Sequence, residues 1–172
     1  MINFRIVALD PGGTTGWATY SACRMWNEDL REYEYHEEEW RCGQIGPEEH
    51  HMGLWTFLEL QCVQDTIIVW ETFEFRNVDK DRDKIIYISR EYIGVTKLFC
   101  LQRGLKGIGQ MPAQGKVSDK SFTRKENLQR LGLWFGASKH AMDATGHLLY
   151  YMINGNGIDM NKRLELLTQG WK

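Results

Sequence analysis

Residues 5–20 read RIVALDPGGTTGWATY. An apolar, β-branched run starting at Phe4 ends on Asp10 and passes at once into Pro-Gly-Gly-Thr-Thr-Gly. The run reads as a buried central strand, and GWATYSA (16–22) as its hairpin partner across a short turn. The junction has more than one reading. Gly12, Gly13 and the threonines can cradle phosphates, or the turn holds Asp10 at the rim of a sheet to grip a metal. The blander reading is an aspartate that merely stabilises its own turn.

Working outward, LREYEYHEEEW (30–40) reads as an acidic exposed strand and turn, and RCGQIG (41–46) as a third strand. PEEHHMGLWTFLELQCVQ (47–64) reads as a helix with Pro47 at its first position and Glu48 and Glu49 at its positive end. Met52, Trp55, Leu58 and Cys62 recur at helical spacing and form its expected buried stripe. TIIVWETFEF (66–75) is a second strongly apolar strand, with Glu71 at its end. A charged loop, RNVDKDRDK (76–84), leads to a long helix over 84–102. GLKGIGQMPAQGK (104–116) is a short strand entering a basic turn. TRKENLQRLGLW (123–134) carries a capping box, Thr123 with Glu126 three residues on. KHAMDATGHLLYYMI (139–153) is a last helix, expected to be well buried and ended by Gly155 and Gly157.

This order, three strands, helix, strand, helix, strand and two helices, joins an antiparallel hairpin unit to a parallel α/β unit. It predicts a ribonuclease H-like α/β fold. The sheet is mixed and five-stranded, its first three strands antiparallel and the others parallel, flanked by helices in one domain over 1–172.

The composition is that of a water-soluble globular chain, 42% hydrophobic and 26% charged. No apolar run approaches the roughly 18 residues that span a bilayer, and the N-terminus meets Asp10 too soon for a secretory signal. No membrane partner is expected, and the predicted location is cytoplasmic. Cys23, Cys42, Cys62 and Cys100 lie far apart without a Cys-x-x-Cys, which speaks for reduced thiols rather than a zinc site. The net charge of −2 hides an asymmetry. Residues 1–75 carry four Lys/Arg against fourteen Asp/Glu, and residues 76–130 carry thirteen against six. One face can therefore bind a polyanion, although both blocks are equally compatible with solvated surface.

Two buried strands thus end on acids, Asp10 and Glu71, and a third acid, Asp143, interrupts an apolar helix. Converging carboxylates in or near a core are costly and repel one another. A divalent cation removes both penalties, and carboxylate oxygens suit Mg²⁺ and Mn²⁺. Parallel neighbouring strands bring their C-terminal ends together, where α/β proteins build sites. His140 precedes Asp143 by three residues and shares its helix face. Several carboxylates with one imidazole can hold two metals about 4 Å apart, the arrangement that clamps an in-line phosphoryl displacement. Against this, Glu71 can pair with Arg76, Asp143 with Lys139, and a lone histidine is often a satisfied core residue. The conjunction of all four favours a metal site.

These segments resemble the RuvC family of Holliday junction resolvases, most closely its phage-encoded branch, over most of the chain. ALDPGGTTGWA (8–18) resembles the first family motif and implies Asp10 as a metal ligand. IIVWETFEF (67–75) resembles the second and implies Glu71. HAMDATGHLLYY (140–151) resembles the last, implying Asp143 as ligand and His140 as the fourth catalytic member, a metal ligand or a proton carrier. MPAQGKVSDKSFTRKENLQRLG (111–132) resembles the Pro-Ala-Gln-x-Lys segment. The resemblance implies two Mg²⁺ or Mn²⁺ ions per site, symmetric nicks bearing 5′-phosphate and 3′-hydroxyl ends, and a twofold dimer acting in DNA recombination and repair. A phage origin would place it in the bacterial host cytoplasm. Departures are a shorter basic stretch after Pro-Ala-Gln and the acidic block NEDLREYEYHEEEW (27–40).

Phosphate contacts are expected from Lys and Arg around these motifs: Arg76, Lys80, Arg82, Lys84, Lys116, Lys120, Arg124 and Lys125. Lys116 matches the family's lysine. Phe73 and Phe75 fall where the family places a junction-probing aromatic, which can stack on an unpaired base. The partner is branched DNA: four-way junctions and, among the alternatives, flaps and forks. A flap or fork nuclease, an exonuclease or a ribonuclease H with the same metals is the main rival. An actin-like ATP-binding fold shares the core and the LDPGGTTG turn, but needs a second phosphate loop that this chain lacks. A non-catalytic DNA-binding module is the third.

Overall fold

The computed structural model describes residues 2–72, 83–115 and 125–155. In chain order the elements are β1 (Ile2–Asp10), β2 (Thr15–Asn27), β3 (Glu32–Ile45), a 3₁₀ turn (Pro47–Glu49), α1 (His50–Gln61), β4 (Thr66–Glu71), α2 (Asp83–Arg103), β5 (Lys106–Gln110), α3 (Pro112–Gly115), α4 (Lys125–Arg130) and α5 (Lys139–Asn154). The sheet order is β3-β2-β1-β4-β5. β1 pairs antiparallel with β2, and β2 with β3, whereas β4 runs parallel to both β1 and β5. This is the mixed sheet expected from the order of elements.

Strand alternation sorts the core into two layers. Ile6 and Ala8 of β1, Ala18 and Tyr20 of β2 and Val69 of β4 pack under α5, against Met142, Leu148, Leu149 and Met152. Val7, Leu9, Ile68 and Trp70 point the other way, onto Leu54 and Leu58 of α1 and Tyr92 and Phe99 of α2. β1 and β4 are covered on both faces, so both read as continuous apolar runs rather than alternating ones.

Three details differ from the sequence reading. The acidic segment and RCGQIG are one 14-residue strand, β3. Its register against β2 shifts between Ser21 and Cys23, so Glu37 and Glu38 together lie opposite Ala22 and Glu37 takes a positive φ of 53°. A bulge absorbs the irregularity without ending the strand. In α1 the buried residues are Leu54 and Leu58, while Met52 is 69% exposed. Met52 lies two residues before Leu54, about 200° round the helix axis, and so points away from the sheet. Trp55 and Cys62 are half-buried. The segment after Met111 forms a short helical turn, α3, whose consequence appears below.

All four cysteines are free thiols, and burial pushes Cys62 up to about 12. No helix among the described residues is long and apolar enough to cross a membrane.

Candidate active site

β1 and β2 meet in a tight turn. Asp10 pairs with Gly16, and the Thr15 hydroxyl folds back to donate to the Gly12 carbonyl at 3.2 Å. Thr15 is buried and committed to the turn. One strand further, β1 and β4 run in register up to Leu9 and Trp70, which brings Asp10 and Glu71 to the same level. Glu71 in turn pairs with Gln110 at the end of β5. Gly16, Asp10, Glu71 and Gln110 therefore form one row across four strands, at the C-terminal ends of the parallel ones. By pleat alternation from Ile6 and Ala8, and from Ile67 and Val69, both acids point to the α5 side.

α5 crosses this row. Ser138 caps it, its hydroxyl accepting from the Ala141 amide. A Cβ at Gly16 would overlap the backbone carbonyl of His140, so glycine is what lets the helix start this close to β2. His140 Nδ1 then lies 2.9 Å from Asp10 Oδ2. Two turns on, His147 Nε2 lies 3.0 Å from Glu71 Oε2, and its Nδ1 lies 2.6 Å from Gln110 Oε1. Asp143, 8% exposed, shares the helix stripe of His140 and His147 at spacings of three and four residues. The stripe of α5 facing the row thus carries an imidazole, a carboxylate and a second imidazole.

The electrostatics follow from the crowding. The Asp10 carboxyl is held above its ordinary value, chiefly by burial. The hydrogen bond from His140 opposes this, the negative charge of Glu71 adds to it, and the charges of His140 and His147 partly offset it. This is a site short of positive charge. Among the described residues no three His, Cys, Asp or Glu side chains are drawn into a ligating cluster. One oxygen of each strand acid instead faces an imidazole. The donor types, carboxylate oxygens with imidazole nitrogens, suit a hard divalent cation. A cation would relieve the burial of Asp10 beside Glu71.

Asp10, Glu71, His140 and Asp143, the four residues singled out from the sequence, thus gather on one side of the sheet at the strand ends. Glu71 meets His147, whereas Arg76, its alternative partner, lies outside the described residues. Phe73, Phe75, Lys80, Arg82, Lys116, Lys120, Arg124 and Thr123 of the capping box also lie outside them. Lys84 falls on the first turn of α2. Lys125 is exposed at the start of α4, its ammonium 5.1 Å from the centre of the Trp134 ring. His147 and Gln110 went unrecognised in the sequence. The available signal was spacing, since His147 follows Asp143 by one helical turn and Gln110 closes an alternating strand.

The sheet and its helices define a ribonuclease H-like fold. Among solved structures, the chain is similar to that described as T. thermophilus RuvC in complex with Holliday junction substrate. The identity is 14%, the match covers 86% of this chain and 92% of the other, and the TM-score is 0.52. The fowlpox virus Holliday junction resolvase aligns at 12% identity, over 86% and 97% of the two chains, with a TM-score of 0.49. No family model and no curated protein matches the sequence.

Proposed function

We propose that this chain is a divalent-metal-dependent endonuclease that cuts the phosphodiester backbone of branched DNA and resolves four-way junctions by paired symmetric nicks. The observation that carries this reading is the acid pair Asp10 and Glu71, level on adjacent strand ends beneath the His140–Asp143–His147 stripe of α5. The T. thermophilus structure of similar fold holds a Holliday junction, which favours a four-way junction over other branches.

In this reading Asp10, Glu71 and Asp143 hold two Mg²⁺ or Mn²⁺ ions. When bound, such a pair supplies water activation and charge stabilisation at the leaving 3′ oxygen. The chain's own side chains do the rest. His140 orients Asp10 through Oδ2 and, being half exposed, is the imidazole able to bind metal or exchange a proton with solvent. Lys116 and the other cations of 76–125 grip phosphates without reading sequence. Phe73 and Phe75 are the aromatic candidates for an unpaired base. Two symmetric nicks need two active sites, so the acting species is a twofold homodimer.

Side-by-side cleavage of a labelled four-way junction, a flap, a fork and an RNA–DNA hybrid, with Mn²⁺ and with EDTA, tests this. The expected result is paired cuts in the junction, with metal only. Preference for the flap, fork or hybrid moves the assignment to the rival nuclease class, and cleavage in EDTA overturns the metal.

A further inference from the structure

His147 is completely buried, yet both of its ring nitrogens have polar partners. A buried imidazole is costly unless paired, so the pairing alone does not separate a structural histidine from a functional one. Three features point beyond structure. First, the partner on Nε2 is Glu71, 16% exposed at the rim of the sheet and turned to the candidate metal side. Second, an ionised carboxylate only accepts hydrogen bonds, so Nε2 carries a proton toward Oε2. The Gln110 amide offers both a carbonyl and an NH₂, and matches Nδ1 whatever its protonation. Third, the ring is clamped. A Cβ at Gly115, the last residue of α3, would overlap the His147 ring, and one at Gly146 would overlap the Gly115 carbonyl. Gln114 secures the same turn, accepting from the Met111 amide at 2.6 Å and donating to the Tyr150 hydroxyl at 2.8 Å.

We infer that His147 is a positioning residue for Glu71. Gln110 and the Pro112–Gly115 turn fix the imidazole, and the imidazole holds Glu71 Oε2, leaving Oε1 to face a divalent cation. The inference rests on the metal-dependent reading above. It also assigns the Pro-Ala-Gln-Gly segment a task besides presenting Lys116: it sets the carboxylate by way of the ring.

The test is calorimetric Mn²⁺ binding to metal-stripped protein, with thermal unfolding in EDTA as the control for folding. The variants are His147→Met, His147→Gln, Gln110→Met and Gly115→Ala. Loss of such an outer partner typically weakens metal binding about 10-fold or more, and that is expected for His147→Met. His147→Gln places an amide N–H within reach of Oε2 and should recover most of the affinity. Gln110→Met and Gly115→Ala should weaken binding in the same direction by loosening or displacing the ring. Unchanged Mn²⁺ affinity in a folded His147→Met, Gln110→Met or Gly115→Ala protein overturns the inference while leaving the metal site intact. If His147→Met does not fold, the other two decide alone. A wild-type protein that binds no Mn²⁺ overturns both the inference and the reading beneath it.

Discussion

The row of strand ends carries the same contact twice. Asp10 meets His140 at 2.9 Å and Glu71 meets His147 at 3.0 Å, and the two carboxylates are similarly sheltered, 14% and 16% exposed. The imidazoles differ completely: His140 is 47% exposed and His147 is 0%. The first sits on the opening turn of α5, next to its cap, and the second lies under α3 against Gly115. A ring at the rim can turn, exchange protons with water or move onto a ligand. A ring with both nitrogens engaged and glycine backbone against its face can only hold what it touches. One chemical pair therefore serves two purposes, and packing decides which.

Several experiments would break or sharpen that contrast. The largest effect is expected for the carboxylates. Asp10→Asn or Glu71→Gln should cut cleavage of branched DNA by about 10²–10³-fold or more, a typical loss when a charge-stabilising group is removed, while gel-shift binding survives. Retained cleavage in Asp10→Asn would remove that residue from the site.

Next come the imidazoles. His140→Gly should lose roughly 10²-fold in rate, the lower range for a positioned acid–base or orienting group, and added imidazole should restore part of it. His147→Gly should gain nothing from added imidazole, because its ring position is closed to solvent. Equal rescue at both positions would erase the distinction between rim and core.

A smaller effect concerns the contact that lets α5 reach the row. Gly16→Ala should destabilise by about 1–3 kcal/mol, since the new methyl meets the backbone of His140 rather than a flexible side chain. Gly13→Ala, with open space around the added atom, is the matched control and should have little effect. Thermal unfolding of the pair measures the difference.

The smallest is electrostatic. A carboxyl raised above its ordinary value binds its proton more tightly folded than unfolded. Stability therefore falls as pH rises from the model value of 3.8 through the raised value, and the deficit persists above it. Asp10→Asn removes that deficit. In EDTA at pH 7 it should raise Tm by on the order of 2 °C, an effect of about 1 kcal/mol in a chain this size, and the gain should vanish near pH 3. A lower Tm at pH 7 would mean that His140 compensates Asp10 fully.

Much of this was legible beforehand. FRIVALD and TIIVWE are too apolar and β-branched to be anything but covered strands, and an acid at the end of each has to stand at a rim. The order of hairpin, helix and parallel strands admits few topologies. His140 and Asp143 announce themselves as polar residues on an otherwise apolar helix. Met52 misled because a spacing of three places residues on one face without saying which face meets the sheet. The split of β3 misled because a bulge at Glu37 looks locally like a turn.

His147 and Gln110 were illegible for a different reason. Each satisfies ordinary local rules, a histidine in a helix and a glutamine at a strand end, and nothing local links positions 110 and 147 to 71. The sequence by itself determined which strands are buried, where their acids stand and that a helix bearing His140 and Asp143 must cover apolar surface, because hydrophobic periodicity and strand-end chemistry are local properties. Only the tertiary structure decided that Gly16 admits α5 to the row, and that Gly115 presses His147 between Glu71 and Gln110. Close approach depends on the shape of two surfaces at once, and no single stretch of chain contains both.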